Sequence, residues 1–205
     1  MHKHGFTLIE LMVSLSILTL ALGTLLALFT TLNLFVLVQD AKMTTDDNVQ
    51  RAMVAITREL RNVAWSSVVF GGDNGTSIQY QIPTDIDGNG TPLDQDMFPE
   101  LGPVRTIARD LQDLNGDGIT ASQLIVFDES GVRVLANGLC RDEDLNNNGR
   151  LEPGEDLNDN GALDRGVSFE RVGRSIAATL STENVPSPRT PRLRSALSQI
   201  ITPRN

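Results

Sequence analysis

The sequence predicts an α+β protein in which one long N-terminal helix, half of it in a membrane, packs on an antiparallel β-sheet with inserted calcium-type loops. Three observations carry that prediction: an uninterrupted apolar run near the N-terminus, a one-sided apolar stripe that prolongs it, and short paired β segments beyond.

The apolar run occupies residues 6–38, 33 positions with Glu10 as the single charge. As a helix rising about 1.5 Å per residue it reaches roughly 50 Å, against about 30 Å of hydrocarbon to be crossed. Before it stands a short basic leader, Met1-His2-Lys3-His4-Gly5. An ordinary secretory signal has an apolar stretch of about 7–15 residues and is cut after it. Here the run is twice that long and the candidate cut precedes it. A carboxylate at the head of a lipid-spanning helix is costly and marks a working residue. Cutting between Gly5 and Phe6 creates an α-amino group one helical turn before Glu10, the tightest local partner for that charge.

Gly5-Phe6-Thr7-Leu8-Ile9-Glu10 closely resembles the cleavage and methylation signature of type IV prepilins and type II secretion pseudopilins. The resemblance implies that a membrane prepilin peptidase cuts after Gly5 and N-methylates Phe6. It further implies that Glu10 pairs with the N-terminal amine of a neighbouring subunit during assembly. Other pilins or pseudopilins, reached through the N-terminal helix, and an inner-membrane assembly platform are the implied partners. The expected location is the bacterial inner membrane, single-pass, N-terminus in the cytoplasm as the basic leader requires, head outside, and a pilus or pseudopilus after assembly. The segment Arg51-Ala52-Met53-Val54-Ala55-Ile56-Thr57-Arg58-Glu59-Leu60-Arg61-Asn62 is similar to J-type pseudopilins and W-type minor pilins, so a minor subunit is expected.

Past Lys42 the apolar pattern becomes one-sided. Val49, Met53, Ile56, Leu60 and Val63 recur in steps of four and three, with Arg51, Arg58, Glu59 and Arg61 elsewhere on the helix. That stripe belongs under a sheet. No proline occurs before Pro83, so the helix is expected to run on to about 64–69, before Gly71-Gly72-Asp73-Asn74-Gly75. Strands are expected at 77–82 and 104–108. Segments 123–127 and 132–136 read as a hairpin about Asp128-Glu129-Ser130-Gly131, and 167–172 and 176–180 as another about Gly173-Arg174-Ser175. The tail from Pro186, rich in Pro and Arg and free of acids, is expected to be extended, with a brief helical turn over 195–201. The domain reading is leader 1–5, membrane and assembly helix 6–39, amphipathic half 40–70, head 71–185 with an insertion at 140–165, and tail 186–205.

Charge narrows the chemistry. The net charge is −9, and residues 85–164 hold 18 of the 26 acids against six arginines over 105–165. Such a surface repels phosphate backbones, which argues against nucleic acid as a partner and makes divalent cations the natural counter-charge. Both histidines, His2 and His4, lie in the leader. The processed chain then has no imidazole for Ser-His or Cys-His catalysis. No enzyme is expected, and the lone Cys140 reads as a small buried residue.

Four acidic loops share the spacing Asp-x-Asp/Asn-x-Asp/Asn-Gly, with oxygen ligands at positions one, three and five and a glycine at six for the turn. Ca2+ is the expected ion. Asp144, Asn146 and Asn148 begin the best match, with the Arg150 carbonyl at seven and Glu155 at twelve. The next unit follows at once with Asp156, Asn158, Asn160, the Ala162 carbonyl and Asp164. No helix fits between abutting units, so a paired loop without regular structure is expected, inserted between two strands of a sheet complete without it. Weaker matches are Asp113, Asn115 and Asp117, and Asp85, Asp87 and Asn89 with Asp96 at twelve. Two other classes fit the composition: a membrane-anchored calcium-binding module that does not polymerise, and a carboxylate-only hydrolase on an anchor.

Overall fold

A computed structural model describes residues 7–71, 75–145, 148, 150–157, 161, 163–184 and 192–204. The chain divides into two compact units, Met1–Asp40 and Ala41–Asn205. Helix α1, Leu8–Arg61, supplies the described structure of the first and enters the second.

In the first unit the apolar side chains from Leu8 to Leu37 are exposed, on a helix long and apolar enough to cross a membrane. Its hydroxyls are internally satisfied. Ser14 donates to the Glu10 carbonyl (2.7 Å), Ser16 to Met12 (2.8 Å), Thr24 to Ala21 (2.9 Å), and Thr30 and Thr31 both to Ala27 (2.9 Å each). A hydroxyl bonded to its own preceding turn brings no unmet donor into lipid. The anchor therefore tolerates many Ser and Thr residues.

In the second unit the predicted stripe is the packed face of α1: Val49, Met53, Ile56, Leu60 and the following Val63 are all at most 1% exposed. The helix stops at Arg61, short of the expected 64–69. Tertiary bonds end it. The Ala64 N–H donates to the Gln81 carbonyl (3.0 Å), and the left-over Arg61 carbonyl accepts from the Arg204 N–H (3.1 Å). A 3₁₀ turn, Trp65–Ser67, then delivers the chain to the first strand.

Eight strands follow: β1 Val69–Gly71, β2 Ser77–Tyr80, β3 Arg105–Arg109, β4 Gln123–Asp128, β5 Gly131–Asn137, β6 Val167–Val172, β7 Ser175–Asn184 and β8 Leu193–Ile201. All pairings are antiparallel, and both predicted hairpins form, β4–β5 and β6–β7. The α+β class, helix on antiparallel sheet, is as predicted.

Two features differ from expectation. The strands form two sheets, β1-β2-β3-β4-β5 and β6-β7-β8, where one was expected. The segments flanking the insertion do not pair with each other. Both go to the far half of β7 instead: the Cys140 N–H donates to the Ser181 carbonyl (3.0 Å) and the Ser181 N–H to the Gly166 carbonyl (2.7 Å). Secondly, the expected helical turn over 195–201 is strand. β8 pairs with β7 from Asn184↔Leu193 to Ile176↔Ile201, and the stretch contains no proline to interrupt a ladder.

The core joins the α1 stripe to Ile78, Tyr80, Ile107, Leu124 and Val126 of the first sheet and to Phe169, Ile176, Ala178 and Leu180 of the second. The Tyr80 hydroxyl emerges at Glu59 (3.1 Å), which also pairs with Arg105 (3.3 Å) and Arg133; Arg105 reaches on to Asp128 (3.2 Å). This polar cluster closes one end of the core, and burial beside the Glu59 charge pushes the Tyr80 phenol well above its ordinary range.

Candidate functional site

The N-terminus of α1 is a reciprocal cap. The Thr7 N–H and hydroxyl both donate to Glu10 Oε2 (2.9 Å each), while the Glu10 N–H donates to Thr7 Oγ1 (3.3 Å). Thr7 is thus the capping residue and Glu10 its partner three positions on. Thr-x-x-Glu ahead of an apolar run is itself a helix-start signal, and it gives Glu10 a partner other than the expected amine. Both bonds fall on Oε2, which leaves Oε1 as an acceptor. Gly5 and Phe6 lie outside the described residues.

The insertion in the head is gathered at a neck. Arg109, at the end of β3, donates to the carbonyls of Cys140 (2.8 Å) and Arg165 (2.7 Å), the two ends of the insertion, and to that of Ala121 (2.5 Å). Burial holds the guanidinium below its ordinary pKa, partly offset by Asp142. Gly166 completes the neck at φ +70, in a space that Arg109 and the Cys140 carbonyl leave to a hydrogen atom. None of this was legible from spacing, because Arg109 is distant in sequence from both carbonyls it holds.

Within the loop the sequence-predicted ligands Asp144, Glu155 and Asp164 are buried, at 3%, 6% and 1% exposure. Asp144 accepts from the Asn148 N–H (2.9 Å) and from Arg165 (2.8 Å). Asn148 Oδ1 accepts from the Arg150 N–H (2.8 Å), Glu155 from the Glu152 N–H (3.0 Å), and Asp156 from the Gly161 N–H (2.8 Å). Asp164 pairs with Arg194 of β8. Asn146, Asn158, Asn160 and Ala162 lie outside the described residues. Glu143, which the loop pattern omits, is 1% exposed and ties the start of the insertion to its second acidic segment: its oxygens accept from the N–H groups of Leu157 and Asp164 (3.0 Å each). Desolvation raises the Glu143 carboxyl above its ordinary pKa.

In the first acidic loop the carboxylates that converge are Asp85, Asp87 and Glu100, with ligand oxygens within 4.8 Å of one another. Asp96, expected at position twelve, is not in this group. The backbone explains why: a Pro83↔Leu101 bridge and the Thr84 N–H to Glu100 carbonyl bond (2.9 Å) zip the loop shut at its base, which presents Glu100 to Asp85 and Asp87. Asp96 sits instead at the tip of a smaller turn held by Asp94. Asn89 bonds Asp87 (2.9 Å).

In the second loop Asp113 accepts from the Gly118 N–H (3.0 Å), while Asp117 accepts from Asn115 (3.0 Å), Gln123 (2.7 Å) and the Ile119 N–H (2.8 Å). These donors, the Gln123 amide foremost, hold the Asp117 carboxyl below its usual range. At the loop's base Asp110 is fully buried. Its Oδ1 accepts from Gln112 and Leu114 N–H groups (3.2 and 3.1 Å), and its Oδ2 has no hydrogen-bond partner among the described residues.

The first 26 residues match the family model of the prokaryotic N-terminal methylation motif. No curated protein and no solved structure matches the chain significantly. The methylation motif supports a place among the type IV pilins and pseudopilins, and it stands at the head of a helix long and apolar enough to cross a membrane, on an α+β architecture of one long helix and antiparallel sheets.

Proposed function

We propose that the protein is a minor pilin or pseudopilin, a non-enzymatic structural subunit of a type IV pilus or type II secretion pseudopilus. The observation that carries this reading is Gly5-Phe6-Thr7-Leu8-Ile9-Glu10 at the start of the apolar run, inside the matched motif. A prepilin peptidase removes residues 1–5 and methylates Phe6. Before assembly the helix rests in the inner membrane, leader inside and head outside. Assembly transfers it from lipid into a bundle of like helices, where Glu10 Oε1 accepts from a neighbouring subunit's amine while Oε2 keeps the Thr7 cap. Mass spectrometry of the mature protein tests this directly: a chain beginning at N-methyl-Phe6 is expected, and an intact Met1 refutes it.

Calcium stiffens the head in the same proposal. Supporting it are the convergence of Asp85, Asp87 and Glu100, the buried carboxylates of the 140–165 loop, and the unpartnered Asp110 oxygen, an all-oxygen donor set suited to a hard cation. No helices flank these loops among the described residues, so the ion is structural rather than a switch. With full-length protein in detergent, millimolar Ca2+ is expected to raise the melting temperature relative to chelator. No rise refutes the calcium reading and leaves the pilin reading intact.

A further inference from the structure

Among the described residues, the sheet edge with the longest uncharged run is β8, beyond its single charge at Arg194. β8 ends the three-stranded sheet, and its outer side carries no bridge to any described strand. Other edges are defended in the usual ways: β1 is three residues long, β5 carries Arg133 and an irregular register against β4, and β6 carries Glu170 and Arg171. β8 is nine residues long, and Ser195-Ala196-Leu197-Ser198-Gln199-Ile200-Ile201 contains neither charge nor proline. It is also open on both faces over residues 196–200. Leu197 lies opposite Leu180, which is fully buried, yet is itself 37% exposed, and Ile200 on the other face is 63% exposed. The covered layer takes in β8 only at its end, where Ile201 is 2% exposed.

Alongside this edge runs a groove of about 370 Å³ between β8 and the last turns of α1, lined by Val54, Thr57, Arg58, Arg61, Gln199 and Arg204. The Thr57 hydroxyl bonds the Gln199 side chain (3.2 Å) across its floor, and Val54 is 68% exposed. Arg58, Arg61 and Arg204 are exposed, and none of them has a carboxylate partner among the described residues. In a chain of net charge −9, three unneutralised arginines around one groove are a concentrated exception.

We propose that β8 and this groove form a docking site for an extended, acidic segment of another protein, which adds as an antiparallel or parallel strand to β8 and sets its carboxylates against Arg58, Arg61 and Arg204. The free backbone edge selects a polypeptide over a lipid headgroup or a free phosphate, because only a second backbone satisfies a row of N–H and C=O groups. The arginines select its charge. The surface belongs to the head alone and stands whether or not the chain polymerises.

The test uses full-length protein in detergent micelles and a fluorescent peptide of about seven residues alternating Val and Glu. Saturable binding is expected, weakened about tenfold or more by Arg58→Glu with Arg61→Glu, and retained by the Arg58→Lys, Arg61→Lys pair. All four changes are on exposed side chains, and an unchanged melting temperature confirms that the fold survives. The same peptide with alternate amides N-methylated is expected not to bind. The proposal is overturned by absence of binding, by equal binding of the N-methylated peptide, by indifference to the arginine changes, by binding to phosphatidylglycerol vesicles in place of the peptide, or by dimerisation of the chain through β8 that excludes the peptide.

Discussion

Gly166 and Gly173 adopt nearly the same left-handed backbone, φ +70 and +63, in opposite surroundings. Replacing either with Ala incurs the strain of a Cβ in that conformation, about 1–2 kcal/mol. At Gly173, in the β6–β7 turn, nothing lies within 4 Å of the new methyl and the loss stops there. At Gly166 the methyl lands on the Arg109 guanidinium and 2.6 Å from the Cys140 carbonyl oxygen, closer than real contacts allow. Arg109 must withdraw from at least one of the Cys140, Arg165 and Ala121 carbonyls, and each such charge-assisted bond is worth about 1.5–3 kcal/mol. Gly166→Ala is therefore expected to cost about 2 kcal/mol more than Gly173→Ala, or about 4–8 °C in melting temperature for a chain of this size. Thermal denaturation of both variants measures the difference. An Arg109→Ala background should shrink the gap by about 1 kcal/mol, since part of the clash leaves with the guanidinium. Equal melting temperatures for the two glycine variants would refute the idea that Arg109 clamps the neck of the insertion.

Other expectations follow from the core, the lone thiol and the acid limb. Ile56→Ala, at a fully buried position of the α1 stripe, should cost about 2–5 kcal/mol by chemical denaturation, whereas Val54→Ala on the exposed side should stay within about 0.5 kcal/mol. Cys140 is fully buried and its thiol is pushed up to about 12 by desolvation and the nearby Asp164 and Glu183 charges, so native protein should resist maleimide at pH 8 and react on unfolding. Asp128 is held below the usual carboxylate range chiefly by the Ser130 hydroxyl and N–H, and then by Arg105. A depressed folded-state pKa contributes stability above the unfolded value of 3.8 that is lost as pH falls through the folded value. Wild-type protein should accordingly lose stability below about pH 4 more steeply than Asp128→Asn, as measured by melting curves across that range.

Much of this protein is periodic or local, and those parts are decided by the sequence itself. The length of the apolar run, the Gly5-Phe6 junction with Glu10, and the step-of-four-and-three stripe from Val49 to Val63 follow from chain composition alone, because lipid solubility and helical phase are properties of consecutive residues. Both hairpins were likewise legible, since Gly131 and Gly173 mark turns between alternating segments. Even the Thr7–Glu10 cap lay in plain view as Thr-x-x-Glu. What tertiary structure alone decided are the pairings between distant segments. Nothing local says that Arg109 holds residues 31 and 56 positions away, that Glu100 displaces Asp96 beside Asp85 and Asp87, or that β8 forms from a tail of prolines and arginines. β8 exists because β7 extends ten residues and offers it a ladder. The same pairing leaves an edge uncovered, and that edge becomes a surface only when the last turns of α1 lie beside it.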